Sequence, residues 1–346
     1  MDHFSLISNI RADNFLESVR VVPVCLILFL NIVKMLIAII RKSQIRAMFL
    51  EVGELWPKGL DPGEPKSVIL KAWLRRIKIP LDIYFYYALA NLILFEALPF
   101  LITGYNICIG ARIYLFPFQP TDLWVVDSIC TYLITYLWEL GATIPCQLCL
   151  FIPFDLTMVT MTANVSALLR LLQEDLKNAI KIQATEVSDP EGYAEVSRIA
   201  QIHQKLLTIA DQLSTMFGLV IFIHVAFAAL EICFFGFLTV AYGGFAETIA
   251  NLLSVLNAMF TIFLLSLSGQ FLSDTSTQVA DAAYESYWYQ SDIRVRKVIL
   301  FLIIRAQRPS YLSALGFSEL TLRSFSKIMS SSWTYFSLLI QVYQEN

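Results

Sequence analysis

Charge is scarce in this sequence. Asp, Glu, Lys and Arg make up 15% of its 346 residues, while 57% are hydrophobic; a soluble domain carries about 25% charged residues. The shortage argues against an ordinary soluble enzyme and for a polytopic membrane protein. The net charge of -3 gives no footing for nucleic acid. Six cysteines in a chain of this length do not make a disulfide framework. Cys25, Cys146, Cys149 and Cys233 fall in apolar runs and read as small buried thiols. Cys108 and Cys130 flank one loop, where a bridge or two free thiols would fit. Cys146-Gln147-Leu148-Cys149 has no second pair, so it reads as packing rather than a metal or redox motif. The three histidines, His3, His203 and His224, have no metal-ligand spacing. With no Gly-rich phosphate loop and no defensible Ser-His-Asp set, no catalytic residue, metal site or cofactor is expected. Met1-Asp2-His3 lacks the basic start of a signal peptide.

Long apolar runs are what the chain does have. A helix needs about 20 apolar residues to cross a bilayer core. Runs near 21–40, 82–104, 129–152, 214–241, 247–270 and 316–342 meet that length, which predicts six spans in an all-α bundle. The third is expected to start near Asp122 and run past Pro153. Lys and Arg collect in cytoplasmic loops. Nine lie in 41–81, five in 153–213 and five in 271–315, against Arg112 alone in 105–122 and none in 242–246 or after Lys327. The alternation places the three basic segments inside and both termini outside. In 165–187 and 192–213 apolar residues recur at helical spacing, so spans three and four are expected to extend inward as an amphipathic pair. Asp189-Pro190-Glu191-Gly192 reads as the turn between them.

The last 65 residues or so carry the most specific pattern. Tyr284, Trp288-Tyr289, Arg305-Ala306-Gln307 with Pro309, Leu315-Gly316-Phe317, Phe325 and the run Ser332 to Gln341 resemble the C-terminal signature of insect odorant receptors. "FPF" at 116–118, Asp155, His203 and Gly269 agree more loosely. The ending Thr334-Tyr335, five further residues and Gln341 also resembles gustatory receptors of the same fold, while Arg305-Ala306-Gln307 with Pro309 favours the odorant branch. The resemblance implies a polytopic membrane helix bundle inverted relative to G-protein-coupled receptors, with an inner N-terminus, seven helices and an outer C-terminus. Six spans against seven suggest that the first helix is missing, with 1–20 as an outer segment and 21–40 as the family's second helix. A secondary transporter would need paired repeats, and none is visible.

The same resemblance implies a function. The chain would be a tuning subunit that binds a small volatile ligand and gates a non-selective cation channel in a heterotetramer with the odorant co-receptor. It would lie in the plasma membrane of olfactory dendrites. The ligand pocket would sit in the outer half of spans one, two, three and five, with Leu28, Phe95, Phe100, Tyr132, Tyr136 and Trp138 as wall residues and Cys25 nearby. Glu96 and Glu139 are intramembrane carboxylates, costly unless paired or wet; both are expected to face a cavity, with Tyr136 as a partner. The final helix would line the pore. Leu338 and Val342 share a face at i and i+4 and could close it by dewetting, with Gln341 alongside. Arg323 and Lys327 would snorkel to the inner interface or shape the ion exit. Segments 153–213 and 271–315 would form an inner anchor, in which Tyr284, Trp288 and Tyr289 hold helices together.

Overall fold

The computed structural model describes residues 2–59, 61–111, 113–116, 126–179, 190–241 and 244–345. Helix α1 runs Asp2–Ile40, α2 Lys42–Leu55, α3 Pro65–Cys108, α4 Ile129–Cys146, α5 Ile152–Ala179, α6 Pro190–Ala241, α7 Phe245–Glu285, α8 Ile293–Ala306 and α9 Leu322–Glu345. The only strands among the described residues are β1 (Ser313–Ala314) and β2 (Ser318–Glu319). The expected all-α membrane fold is present. Among the described residues five helices are long and apolar enough to cross a membrane: Val21–Ile40 of α1, then α3, α5, α6 and Thr248–Glu285 of α7.

Several boundaries differ from expectation, each for a local reason. Residues 2–20, expected as a polar outer segment, continue α1 without a break. Pro190 opens α6 instead of lying in a turn, because proline at the first helical position loses no hydrogen bond and its φ is already helical. Asp189 lies outside the described residues, as do Pro117 and Phe118 of "FPF". The third span begins at Ile129, where Ser128 caps the helix. Its Oγ accepts from the Thr131 amide at 3.2 Å, while Thr131 Oγ1 accepts from the Ser128 amide at 3.1 Å. The span then passes through one π-helical turn, Gln147–Phe151, directly into α5. From Ile129 to Ala179 the chain is therefore one rod. α6 has 52 residues, roughly 78 Å at 1.5 Å per residue, and extends far beyond an apolar layer of about 30 Å.

The sixth expected run, 316–342, begins as a hairpin. Ser313 pairs with Glu319 and Ala314 with Ser318, and Leu315 and Gly316 both hold positive φ, 52° and 82°. That is the turn made by Leu315-Gly316-Phe317. The hairpin presses Leu320 against α7 so closely that a Cβ on Gly269 would stand 2.1 Å from the Leu320 carbonyl oxygen. A side chain at 269 cannot be fitted without moving one of the two backbones.

The core sits where α5, α6, α7, α8 and the hairpin meet. Met158, Val165, Leu169 and Leu176 of α5 pack with Val196, Ile199, Leu206 and Leu213 of α6 and with Leu272 and Val279 of α7. Several polar groups here are bonded, although Nε2 of buried His203 is not. Thr162 and Ser166 donate to their own helix, and Gln173 Nε2 reaches the Thr275 carbonyl at 2.9 Å. A smaller cluster joins Val19 of α1 and Phe235, Phe237 and Leu238 of α6 to Phe336, Leu339 and Ile340 of α9. Of the expected anchor aromatics, Trp288 packs on the core, whereas Tyr284 and Tyr289 are exposed, Tyr289 with its ring 6.4 Å from that of Tyr287. Cys233 is buried, but Cys25 is exposed, because the apolar run around it presents most of its surface outward. Cys108 and Cys130 are free thiols.

Candidate functional site

Between α1, α3, the α4–α5 rod, α6 and α7 lies a cavity of about 240 Å³. Leu92, Phe95, Phe235 and Leu238 give it apolar walls. Gln147 and Phe151 of the π turn lie in its lining, and Leu115 and Phe116 close it on the side of the α3–α4 connection. α6 contributes although it was not among the expected pocket helices. Small apolar cavities with a few placed polar groups bind compact organic molecules through shape and dispersion.

The connection is fixed by side chains from both flanking helices. Thr103 Oγ1 accepts from the Leu115 amide at 2.9 Å, and the Tyr132 hydroxyl donates to the Leu115 carbonyl at 3.2 Å. Tyr132 also joins a run of rings: Tyr114 at 5.2 Å, Phe116 at 5.0 Å and Tyr136 at 5.7 Å, with Phe100 against Tyr136 at 5.2 Å. The Tyr136 hydroxyl donates to the backbone carbonyl of Glu96 rather than to its carboxylate.

The residues expected to form a pocket therefore separate. Phe95 lines the cavity directly. Tyr132 and Tyr136 are buried and do not line it, but join it through Phe116, while Phe100, packed on Tyr136, is 44% exposed. Leu28 and Trp138 are 50% and 71% exposed and lie on the outside of the bundle. Of the two carboxylates, Glu96 lines the cavity and Glu139 does not.

Beside the cavity is a group that the sequence reasoning missed. Lys34 of α1, fully buried, places Nζ 2.9 Å from both carboxylate oxygens of Asp155 in α5. Tyr84 of α3 donates to the same carboxylate at 3.3 Å, and Nζ stands 3.8 Å over the Phe151 ring. A buried charge is tolerable only when paired and hydrogen-bonded, and three helices converge to meet that condition. A lysine inside an apolar run was the available signal; its partner, 121 residues away, was not. Among the described residues no group of three or more His, Cys, Asp or Glu could hold a metal ion.

Leu338, Gln341 and Val342 are exposed on α9. They share a stripe with Arg323, Lys327 and Thr334, opposite the face that Phe336, Leu339 and Ile340 pack onto α6.

A family model described as 7tm Odorant receptor matches residues 14–333. Odorant receptor 49a of Drosophila melanogaster is 28% identical over 191 residues, 55% of this chain and 48% of that protein. Putative odorant receptor 85d of the same fly is 30% identical over 141 residues, 41% of this chain and 34% of that one. The alignments thus span about half, or less, of these relatives' length. The structure of the insect olfactory receptor OR5 from Machilis hrabei in complex with eugenol superposes with a TM-score of 0.82 at 17% identity, covering 95% of this chain and 82% of that one.

Proposed function

The chain belongs to the 7tm odorant receptor family, and from that premise we propose that it is an odorant-binding subunit of a cation channel. A small volatile ligand occupies the cavity lined by Phe95, with Phe100, Tyr132 and Tyr136 as its supporting wall. The cavity is the observation that carries this reading. It is mainly apolar, it is bounded by five helices, and the fold also occurs in an olfactory receptor solved with eugenol.

The channel is a heterotetramer with the odorant co-receptor in the plasma membrane of olfactory dendrites. α9 lines its pore through the stripe that carries Leu338, Gln341 and Val342. Two apolar side chains one turn apart can narrow a pore until water leaves it, and a neutral amide beside them discriminates little among cations. Basic residues concentrated in alternate connections support an inner anchor and an outer C-terminus. The cavity reaches α9 through α6, because Phe235 and Leu238 line the cavity and also join the cluster that holds Phe336 and Leu339. Ligand contact with that wall of α6 therefore bears on the packed face of the pore helix.

The test is voltage-clamp recording of the chain with the co-receptor. Odorant should evoke a cation current, and Leu338→Ala with Val342→Ala should raise leak current or alter gating. Wild-type leak, gating and ion selectivity in that double variant would remove these residues from the pore.

A further inference from the structure

Resting on the reading of the cavity as the odorant site, we infer that it selects ligands bringing a hydroxyl or amino donor over ligands of like shape that can only accept hydrogen bonds. The buried polar atoms left bare in its lining are mostly acceptors. Oε1 of Glu231 and Oδ1 of Asn257 make no hydrogen bond; the Glu96 carboxylate has only the Thr143 hydroxyl beside it, outside good hydrogen-bond geometry, and Glu96 and Glu231 are each only 6% exposed.

The hydroxyls that could offset them are already engaged. Thr143 donates to the Glu139 carbonyl, Ser254 to Ala250 and Thr261 to Asn257, each at 2.9 Å. The amides of Asn91, Gln147 and Asn251 offer donor and acceptor alike and create no bias. His224 Nδ1, also without a partner, serves as either according to tautomer. The Lys34 ammonium acts on Glu231 only through its field and is bonded to Asp155 instead. Protonating either glutamate makes one oxygen a donor and leaves the other accepting, so the bias narrows without reversing. A ligand O–H or N–H satisfies an acceptor that is otherwise left dry; a ligand carbonyl meets it lone pair to lone pair.

Matched alcohols, amines and aldehydes from butyl to decyl, applied to the full chain with the co-receptor, decide the matter from evoked currents. At the best chain length the alcohol or amine should be more potent than the aldehyde by at least about tenfold, the scale of a hydrogen bond to a charged acceptor. Glu96→Gln and Glu231→Gln add an N–H of their own and should each move that ratio toward one. Equal potency in the wild type, preference for the aldehyde, or silence to every alcohol and amine overturns the inference, whether or not the variants reach the cell surface. Ala258→Phe, which fills the cavity from α7, separates the two levels. Potencies that ignore it place the ligand elsewhere and sink both readings. Potencies that collapse with it, without an alcohol–aldehyde difference in the wild type, sink the donor preference alone.

Discussion

Along the most apolar stretch of α5, 72% of residues are buried within the chain; along that of α3 the share is 11%. Both helices are apolar, so the difference lies in what covers them. α5 and its neighbours must satisfy their apolar faces internally, and they do so through a continuous core. α3 leaves Ile83, Ile93, Leu94 and Leu101 outward, because lipid is as apolar as leucine and supplies no force to drive helices together. The end around α5 is thus built as a protein interior. The end around α3 is a looser frame around a cavity, and Lys34 with Asp155 ties the two together.

The sharpest way to break that contrast is to cut the tie. Lys34→Met strands a buried carboxylate and should cost about 3–5 kcal/mol, read as a fall in melting temperature in detergent and in surface protein. Adding Asp155→Leu should recover most of it; a single variant that melts like wild type would show that the pair holds nothing. Next, Leu169→Ala in the inner core should cost about 2–5 kcal/mol, whereas Leu94→Ala on exposed α3 should stay within about 0.5 kcal/mol. Equal losses would dissolve the distinction between the two ends. Tyr136→Phe removes one hydrogen bond to the Glu96 carbonyl, about 0.5–1.5 kcal/mol. It should shift agonist potency more than maximal current in concentration–response recordings. Trp138→Ala should change least, within about 0.5 kcal/mol by thermal melt, since its ring is outside the bundle.

Legibility in the sequence follows the same division. The helices of the core have apolar stripes with charges between them, so 165–187 and 192–213 could be read as an amphipathic pair; α5 and α6 follow over 165–179 and 192–213, while 180–187 lie outside the described residues. The fold class was legible from apolar length and from the signature that includes Leu315-Gly316-Phe317, but the hairpin there, with Leu315 and Gly316 at positive φ, was not. The outer helices are apolar on all sides, and such a pattern has no phase. Nothing in it shows that Phe95 faces inward while Leu28 and Trp138 face outward. The Lys34–Asp155 pair was out of reach for a different reason: it depends on which side of α1 meets the rod, and that is set by tertiary packing.

The π turn at Gln147–Phe151 gives the rod one place that tolerates a change in residue count. A π turn holds one residue more than an α turn while winding nearly as far. Deleting one amino acid there would let the stretch relax to regular winding and leave Ile129–Cys146 in phase, so Tyr132 and Tyr136 would keep their wall. The same deletion at a regular turn of the rod would swing everything before it by about 100° about the axis. Family members without the surplus residue would present the same lining at the same address.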